Sequence, residues 1–285
     1  MFEEILISSL KESIAITGLI FILMIIVEAF VLRFKESIIS FLKKRRFLEY
    51  GVSSFFGIIP GCMGTFAMDS LYMAGLIGFG GIVAVMVATS GDEAFLMMSL
   101  AMKGEISWGL LISLTALLFS LGIFAGYLAD FYLKKSGMVF CDRCDIVYHK
   151  KQEKSLKHFL SEHVYGHIVK KHIWRIFLWI FGALAVINLF NGQLNMAFSE
   201  IGGLGLLLIA SLVGLLPISG PNVFLIMLFS KGFVPFSVLL ANSIIQDGHG
   251  LLPIMGFSLN DAIKIKIFNF AFGFIIGLIL LLLGI

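Results

Sequence analysis

The stretch GIIPGCMGTF, Gly57 to Phe66, is followed 157 residues later by GLLPISGPNV, Gly214 to Val223. The same shift, without a gap, places Gly91 on Gly248 at a second cluster of polar residues. Each stretch puts Gly and Pro inside an apolar run, and such breaks in a membrane helix are tolerated only where the freed backbone is buried or lines a cavity. Self-similarity at a fixed shift is typical of a repeated structural unit. The sequence therefore predicts two related halves.

The repeat divides the chain into a first transmembrane half, residues 1–130, a polar linker, residues 131–172, and a second transmembrane half, residues 173–285. If each half crosses the membrane five times around a cytosolic linker, the halves have opposite topology. This is the inverted-repeat plan of many secondary transporters. We expect an all-α polytopic membrane protein of about ten spans with broken helices. An old duplication that only builds a helical bundle is the alternative.

Composition places the chain in a membrane. Of its 285 residues, 59% are hydrophobic and 14% are charged, and the mean hydropathy is +1.01. A soluble domain has about 45–50% apolar and about 25% charged residues. Because a bilayer helix uses about 20 apolar residues, little chain remains for an extramembrane enzyme domain. The sequence also lacks a GxxxxGK[ST] phosphate loop, so transport is expected to be passive or driven by gradients.

Basic residues predict the orientation of the chain. Sixteen of the 21 Lys and Arg residues lie in two segments, 33–46 and 134–175. Short basic loops stay in the cytosol, so the linker is predicted to be cytosolic and the first helix, Ile14 to Leu32, to run inward from an external N-terminus. Glu3 and Glu4 stand where a signal peptide has basic residues, so we expect this helix to be retained in the cell (inner or plasma) membrane. Flanking spans explain the basic segments better than nucleic-acid binding does.

Polar residues interrupt the apolar runs of both halves, and the repeat pairs them with one another. The pairs are Thr65 with Asn222, Thr89 with Gln246, Ser90 with Asp247, and Asp92 with His249. An ionised carboxylate at bilayer depth costs at least about 2.5–3.5 kcal/mol, so such acids need a partner, a water-filled cavity or a substrate cation. Carboxylate, imidazole and amide ligands suit divalent manganese, iron or zinc. The predicted ion-binding residues are Thr89, Ser90, Asp92, Glu93, Asn222, Gln246, Asp247 and His249. Alternatively, the three acids are loop residues at the membrane surfaces and His249 is structural.

Several motifs resemble those of a known family, the ten-span heavy-metal exporters, whose members are named manganese transporters or arsenic efflux proteins. The motifs are GIIPGCMGTF, SLY (Ser70 to Tyr72), ATSGDEAF (Ala88 to Phe95), SGPN (Ser219 to Asn222) and LLANSIIQDGHGLLP (Leu239 to Pro253). The resemblance covers nearly the whole chain. It implies export of a metal or metalloid and leaves the ion open, and it carries no family role onto Asp69.

The linker carries a pattern typical of a zinc site. Cys141 and Cys144 form a CxxC, and His163 and His167 follow at the i and i+4 positions of a predicted helix. Two thiolates and two imidazoles can close a tetrahedral zinc site, and a complete shell of four ligands favours a structural role over a sensor. Further candidate ligands are His149, His158, His172, Asp142 and Asp145. A solvated basic loop with incidental histidines is the alternative.

We therefore expect a secondary transporter, not an enzyme, that exports a manganese-like divalent cation in exchange for protons. Its partners would be the lipid bilayer, the metal cation and protons, and self-association is left open. Efflux of arsenite or an organoarsenical is the alternative, with Cys62 and the 13 Met residues as soft contacts. An intramembrane aspartyl protease is a remote alternative built on Gly91-Asp92 and Asp247. The repeat argues against the protease because His249, and not a second Asp, corresponds to Asp92.

Overall fold

The computed structural model describes residues 2–42, 48–73, 75–136, 173–217 and 219–285. Eleven helices and no strands occur in these residues. The first half contains α1 (Phe2–Leu42), α2 (Glu49–Ile58), α3 (Met63–Met73), α4 (Phe79–Ala88), α5 (Glu93–Met102) and α6 (Trp108–Ser136). The second half contains α7 (Trp174–Gly214), α8 (Gly220–Ser230), α9 (Phe236–Ile245), α10 (Leu251–Phe257) and α11 (Leu259–Leu282).

Length and hydropathy identify membrane-spanning helices in the described part of the chain. Four segments are long and apolar enough to cross a bilayer: Ile5–Ile26, Phe79–Met102, Trp108–Tyr132 and Leu259–Leu282. In Phe79–Met102, which joins α4 and α5, 89% of the most apolar stretch is buried, against 22–33% in the other three. This broken span therefore lies at the centre, while the other three expose apolar side chains to lipid. The expected all-α polytopic membrane fold is confirmed.

Short helices in the first half form a hairpin beside the broken span. The Gly78 amide, at the start of α4, donates to Glu49 Oε1 at the start of α2 over 2.6 Å. The Ser90 amide, just after α4, donates to the Gly57 carbonyl near the end of α2 over 3.3 Å. Helices α2 and α4 therefore run side by side in the same direction. Only residues 74–78 join α3 to α4, so α3 must return the chain to the side where α2 begins.

The second half repeats these helix boundaries at the 157-residue spacing. Helix α8 has the bounds of α3 shifted by 157, and α9 has those of α4. Helix α7 combines the counterparts of α1 and α2 across a kink, where Gly202 has φ 69° and ψ 166°. Helices of 10 or 11 residues, as in α2 to α5, have a rise of about 15–17 Å and are too short to cross a hydrocarbon core of about 30 Å alone. Each half thus places helix ends inside the protein.

Contacts between the halves are reciprocal. Helix α5 packs on α8, and its counterpart α10 packs on α3, the counterpart of α8. Helices α4 and α9 pack on each other. Helix α4 also contacts α11, the last helix of the second half, and α9 also contacts α6, the last helix of the first half. Such mutual contacts are typical of a two-fold interface, in which the same surface is used on both sides. The breaks of the two halves therefore meet near one axis.

Candidate metal-binding site

Three short connections between helices bring a thiol, a carboxylate and an imidazole together. Cys62 lies at the tip between α2 and α3, Asp92 directly precedes α5, and His249 lies between α9 and α10. One ligand atom of each residue lies within 4.8 Å of the other two. The Cys62 Sγ is 3.7 Å from Asp92 Oδ1. Cys62 and Asp92 are buried and His249 is partly exposed, so the group lies between the two halves.

A glycine at each break turns the chain between two short helices. Thr89 and Gln246, which follow α4 and α9, are extended, with ψ of 128° in both. Gly91 (φ 48°) and Gly248 (φ 52°) then adopt the left-handed region, which residues with a Cβ rarely enter. The next helix begins within three residues of each glycine. The polar side chains of the break are thereby held inside the protein rather than on its lipid-facing surface.

Hydrogen-bonded pairs recur at the repeat spacing. Thr65 Oγ1 lies 2.9 Å from Thr89 Oγ1 in the first half. The corresponding residues of the second half also meet, where Asn222 Nδ2 donates to Gln246 Oε1 over 3.5 Å. Asn242 Nδ2 adds a bond of 3.2 Å to Asn222 Oδ1. In each half, a hydrogen bond between corresponding positions, Thr65 and Thr89 or Asn222 and Gln246, therefore joins the tip of the hairpin to the broken span.

The candidate metal ligands also make contacts at corresponding positions of the two halves. The contact between Cys62 and Asp92 corresponds to the 3.3 Å contact between Ser219 Oγ and His249 Nδ1. The halves join directly where Gln246 Nε2 donates to the backbone carbonyl of Thr89 over 3.3 Å. These last two residues are themselves repeat counterparts, 157 positions apart. A bond between counterparts is expected close to the axis that relates the halves, so the candidate ligands surround that axis.

Asp247 is held by a cation of the protein. Lys266 Nζ lies 2.7 Å from Asp247 Oδ2, and Asn269 Nδ2 donates to Asp247 Oδ1 over 2.7 Å. Lys266 Nζ also donates to the backbone carbonyls of Gly214 at 2.9 Å and Ile245 at 3.0 Å. Those residues end α7 and α9, and helix C-termini attract cations. The ammonium therefore neutralises a fully buried carboxylate and caps two helices.

Two further carboxylates are buried in this region. Glu93, at the start of α5, is buried, and neither of its carboxylate oxygens has a hydrogen bond within the described residues. Asp92 is its charged neighbour, and the Asn222 side chain lies close to it. Asp69, in the middle of α3, is completely buried, and its two oxygens likewise meet no donor in the described structure. Asp247 is the charged group close enough to act on Asp69.

Comparison with known families identifies the class of protein. A family model described as "Putative, 10TM heavy-metal exporter" matches residues 2–202 and 148–283. The chain belongs to this family of ten-span heavy-metal exporters. No curated protein and no solved structure gives a match. The exporter is thus a multi-pass membrane transporter of a heavy metal and not an enzyme.

The donor set of the exporter suits a transition metal. A thiolate, a carboxylate and an imidazole supply one sulfur, one oxygen and one nitrogen ligand, a combination that divalent transition metals accept and hard alkali cations do not favour. Three protein ligands leave coordination positions open, as in sites where a bound group must exchange. These three residues come from three separate interruptions between short helices and not from one helix.

The predicted site residues fall into three groups. Asp92 and His249 lie, with Cys62, in the group of three side chains that could hold a metal ion. Thr89, Asn222 and Gln246 form the hydrogen-bond network beside it. Asp247 is paired with Lys266, Glu93 is buried next to Asp92, and the buried Ser90 hydroxyl has no hydrogen bond among the described residues.

Three residues of this region were not predicted to be part of the site from the sequence. Cys62 entered only as a soft contact for arsenite, although its position at the GCMG break was a usable signal. Lys266 was not among the predicted site residues, yet its side chain is 12% exposed and lies against Asp247. Asn269, which completes that arrangement, lies in an apolar run and gave no pattern. The linker candidates Cys141, Cys144, His163 and His167 lie outside the described residues.

The geometry also bears on the protease alternative. Two catalytic aspartates in such an enzyme share one proton between neighbouring carboxyls. Asp247 instead has its charge compensated by Lys266 and its second oxygen bonded to Asn269. Asp92 lies beside Cys62 and His249. This arrangement agrees with the family in assigning transport, and not peptide hydrolysis, to the chain.

Proposed function

We propose that this exporter moves a divalent transition-metal cation out of the cytosol in exchange for protons, using Cys62, Asp92 and His249 as substrate ligands. The observation that carries the proposal is the convergence of their three ligand atoms within 4.8 Å at breaks of both halves. Discontinuous helices at the interface of two repeats are the usual place for substrate in secondary transporters. Because the ligands come from both halves, a relative movement of the halves would assemble or open the site.

An inverted repeat is the proposed framework for that movement. It is supported by the shared bounds of α3 with α8 and of α4 with α9 at the 157-residue shift. It is also supported by the reciprocal packing of α5 on α8 and of α10 on α3. With opposite topology, the hairpin of one half opens to one side of the membrane and the hairpin of the other half to the opposite side. Alternating access then needs only rocking of one half against the other.

Basic residues support the proposed orientation in the cell membrane. The segments 33–46 and 134–175 lie at the end of α1 and around the linker, and basic loops stay cytosolic. The N-terminus would then be external and the linker, residues 131–172, cytosolic. Since α2 begins just after the first basic segment, the open side of the first hairpin faces the cytosol. Substrate would reach Cys62 from this side.

Proton exchange follows from the nature of the ligands. A thiol, a carboxyl and an imidazole bind a metal only when they are deprotonated, so metal binding releases protons and acid favours metal release. A proton gradient can therefore drive metal uptake by the site on one side and its release on the other. Asp247 is assigned to positioning in this scheme, because Lys266 already balances its charge.

Arsenite efflux is the second candidate, and the observation that favours it is the location of Cys62 in the group. Trivalent arsenic prefers thiolates, but the chain has three cysteines, two of which are in the linker. One thiolate with an imidazole and a carboxylate matches a divalent metal such as manganese, iron or zinc better. Loss of arsenite resistance with unchanged metal content in the deletion strain would favour this second candidate.

The function is tested in cells that contain or lack the exporter. Cells lacking it should accumulate manganese or another divalent metal and grow poorly when that metal is added. The wild-type gene should restore both properties, and Asp92→Asn should restore neither. Equal metal content and equal growth with and without the protein, for every divalent metal tested, would contradict the proposal.

For the linker we propose a structural zinc ion bound by Cys141, Cys144, His163 and His167. The support is their spacing, which matches a four-ligand tetrahedral site. The purified full chain should contain about one zinc per molecule, and Cys141→Ser with Cys144→Ser should remove it without changing metal flux per folded molecule. Purification of the full chain without zinc in zinc-supplemented medium would contradict this proposal.

A further inference from the structure

Polar side chains occupy one face of α3 from the candidate site toward one membrane side. Cys62, Thr65, Asp69 and Tyr72 are spaced by three, four and three residues, which places them on a single helix face. All four are buried. Cys62 belongs to the metal-binding group, Thr65 contacts Thr89, and the Tyr72 hydroxyl donates to Asp261 Oδ2 over 3.0 Å. Asp69 is the member of the face whose polar atoms have no partner in the described structure.

An unpartnered carboxyl with 0% exposure requires an explanation. Ionised and isolated in a low-dielectric interior, a carboxylate is strongly disfavoured and neutralises by taking up a proton. A carboxyl that served only structure would be expected to donate or accept hydrogen bonds. Asp69 does neither within the described residues, so it is suited to holding a proton that can be lost when a positive charge arrives nearby.

The charged groups around Asp69 are already engaged. Asp247 acts on Asp69 electrostatically from the second half, and Lys266 and Asn269 hold Asp247. Helices α4 and α10, which pack on α3, carry no ionisable side chain.

Helices α1 and α2 also pack on α3, and α11 contacts it through Asp261. On α1, Glu12 pairs with Lys103, and Glu3 and Lys11 are exposed. On α2, Glu49 accepts from the Gly78 amide and Tyr50 donates to Asp130. Tyr72, on α3 itself, is bonded to Asp261. Among the described side chains of α3 and of the helices α1, α2, α4 and α10 that pack on it, Asp69 is thus the buried acid whose charge nothing else balances.

The polar face occurs in one half only. At the positions of Asp69 and Tyr72, helix α8 has Ile226 and Phe229. The path from the site is therefore polar along α3 and apolar along α8. In the proposed orientation α3 leads to the cytosol, so Asp69 lies on the side from which metal arrives.

We propose that Asp69 is the proton-binding carboxyl of the exchange, a proposal that rests on the proposed function of the exporter. A divalent cation at Cys62, Asp92 and His249 lies seven residues along α3, about 10 Å of helical rise, and stabilises the Asp69 anion. The O–H bond of Asp69 breaks and its proton passes to cytosolic water. When the metal leaves, the carboxylate takes up a proton from water on the external side, so one proton is exchanged at this residue per cycle.

Proton release on Mn²⁺ binding tests the proposal with the full chain in detergent and a pH-indicator dye. Wild type should release about one more proton per bound Mn²⁺ than Asp69→Asn, and Asp69→Glu should release as many as wild type. Asp69→Asn mimics the neutral carboxyl and should fold and bind Mn²⁺. The control Ser70→Ala, an exposed neighbour bonded to the Phe66 carbonyl, should match wild type. Equal proton release by wild type and Asp69→Asn would overturn the proposal.

Infrared spectra of wild type and Asp69→Asn give a second readout. The absorption of protonated carboxyls should decrease on Mn²⁺ addition by one more group in wild type than in Asp69→Asn, because Asp92 loses any proton in both proteins, and an equal decrease would also overturn the proposal. The two proposals fail differently. If wild type binds no divalent metal, the proposed function fails, whereas normal Mn²⁺ binding with no contribution from Asp69 contradicts only the present inference.

Discussion

Helices α3 and α8 have the same length and equivalent positions, but different chemistry on the face that leads away from the site. The face of α3 carries Cys62, Thr65, Asp69 and Tyr72, and that of α8 carries Ser219, Asn222, Ile226 and Phe229. The backbone of the repeat sets where a side chain is placed, and the side chain alone sets what it binds. The thiol of Cys62 and the carboxylate of Asp92 come from the first half, while the imidazole of His249 comes from the second. Asymmetric side chains on a symmetric scaffold can therefore give transport a direction.

A second difference concerns the fixed cation. Lys266 connects Asp247 to the ends of α7 and α9 in the second half. The corresponding residues of the first half are Gly109 and Ser90, and there the Ser90 amide bonds directly to the Gly57 carbonyl. Lys266 thus balances the charge of Asp247 in the second half, whereas the carboxylate oxygens of Asp69 and Glu93 in the first half have no hydrogen bond within the described residues.

Replacement of the fixed cation should have the largest effect. Lys266→Met leaves Asp247 charged, buried and unpaired, and breaking a buried pair costs about 3–5 kcal/mol of stability. The measurement is the free energy of unfolding of the purified protein in detergent. The double variant with Asp247→Asn should recover most of the loss, because no uncompensated charge remains. Equal loss in the single and double variants would show that the ion pair is not the cause.

Loss of the buried ligand carboxylate should have the next largest effect. Asp92→Asn should weaken Mn²⁺ or Zn²⁺ binding by at least about 100-fold, the upper range for residues that only support a ligand. Calorimetric titration of the full chain measures this. The matched control is Glu105→Gln, the same chemical change in a partly exposed ion pair with Lys231, and should leave affinity unchanged. Equal affinity in all three proteins would exclude Asp92 from the site.

Exchange of the tip residues tests the comparison of the halves directly. Cys62→Ser copies the second half and should weaken Zn²⁺ binding by roughly 10- to 100-fold, and Mn²⁺ binding less, since the softer ion depends more on sulfur. Ser219→Cys adds a thiol beside His249 and should strengthen Zn²⁺ binding. Competition between the two metals measures the preference. An unchanged preference in both variants would place the metal elsewhere.

The smallest effect is expected for the network around the site. Thr65→Val removes the hydroxyl that contacts Thr89 and should lower the free energy of unfolding by about 1 kcal/mol. Thr115→Val, whose hydroxyl bonds within its own helix to the Leu111 carbonyl, should cost less. Thermal unfolding of both variants provides the comparison. A larger loss for Thr115→Val would contradict the assigned importance of the pair at the tip.

Much of the framework could be predicted from the sequence. Composition and apolar runs predicted an all-helical membrane protein, and the glycines of ATSGDE and NSIIQDGHG predicted breaks where α4 and α9 end. These features are local, because a helix of this composition is stable in lipid and a glycine marks the point where it stops. The inverted topology stays a proposal, supported by shared helix bounds.

The composition of the site could be predicted less well because it depends on packing between distant segments. The sequence of α11 does not indicate that Lys266 and not Lys264 reaches Asp247, since each lysine lies between two isoleucines. Cys62 was predicted only as a soft contact for arsenite, and its repeat counterpart, Ser219, is a residue with no metal preference. The proximity of Cys62 and Asp92 arises from the hairpin tip touching the broken span, a tertiary contact that spacing alone does not encode.

Metal flux into proteoliposomes under opposite pH gradients tests the central claim most directly. In vesicles holding the full-length exporter in a known orientation, Mn²⁺ should move toward the acidic side and should stop when a protonophore dissipates the gradient. Asp92→Asn vesicles should show no flux in either direction above protein-free vesicles. Mn²⁺ flux that is equal under both gradients, or equal in wild type and Asp92→Asn, would contradict proton-coupled export through the site of Cys62, Asp92 and His249.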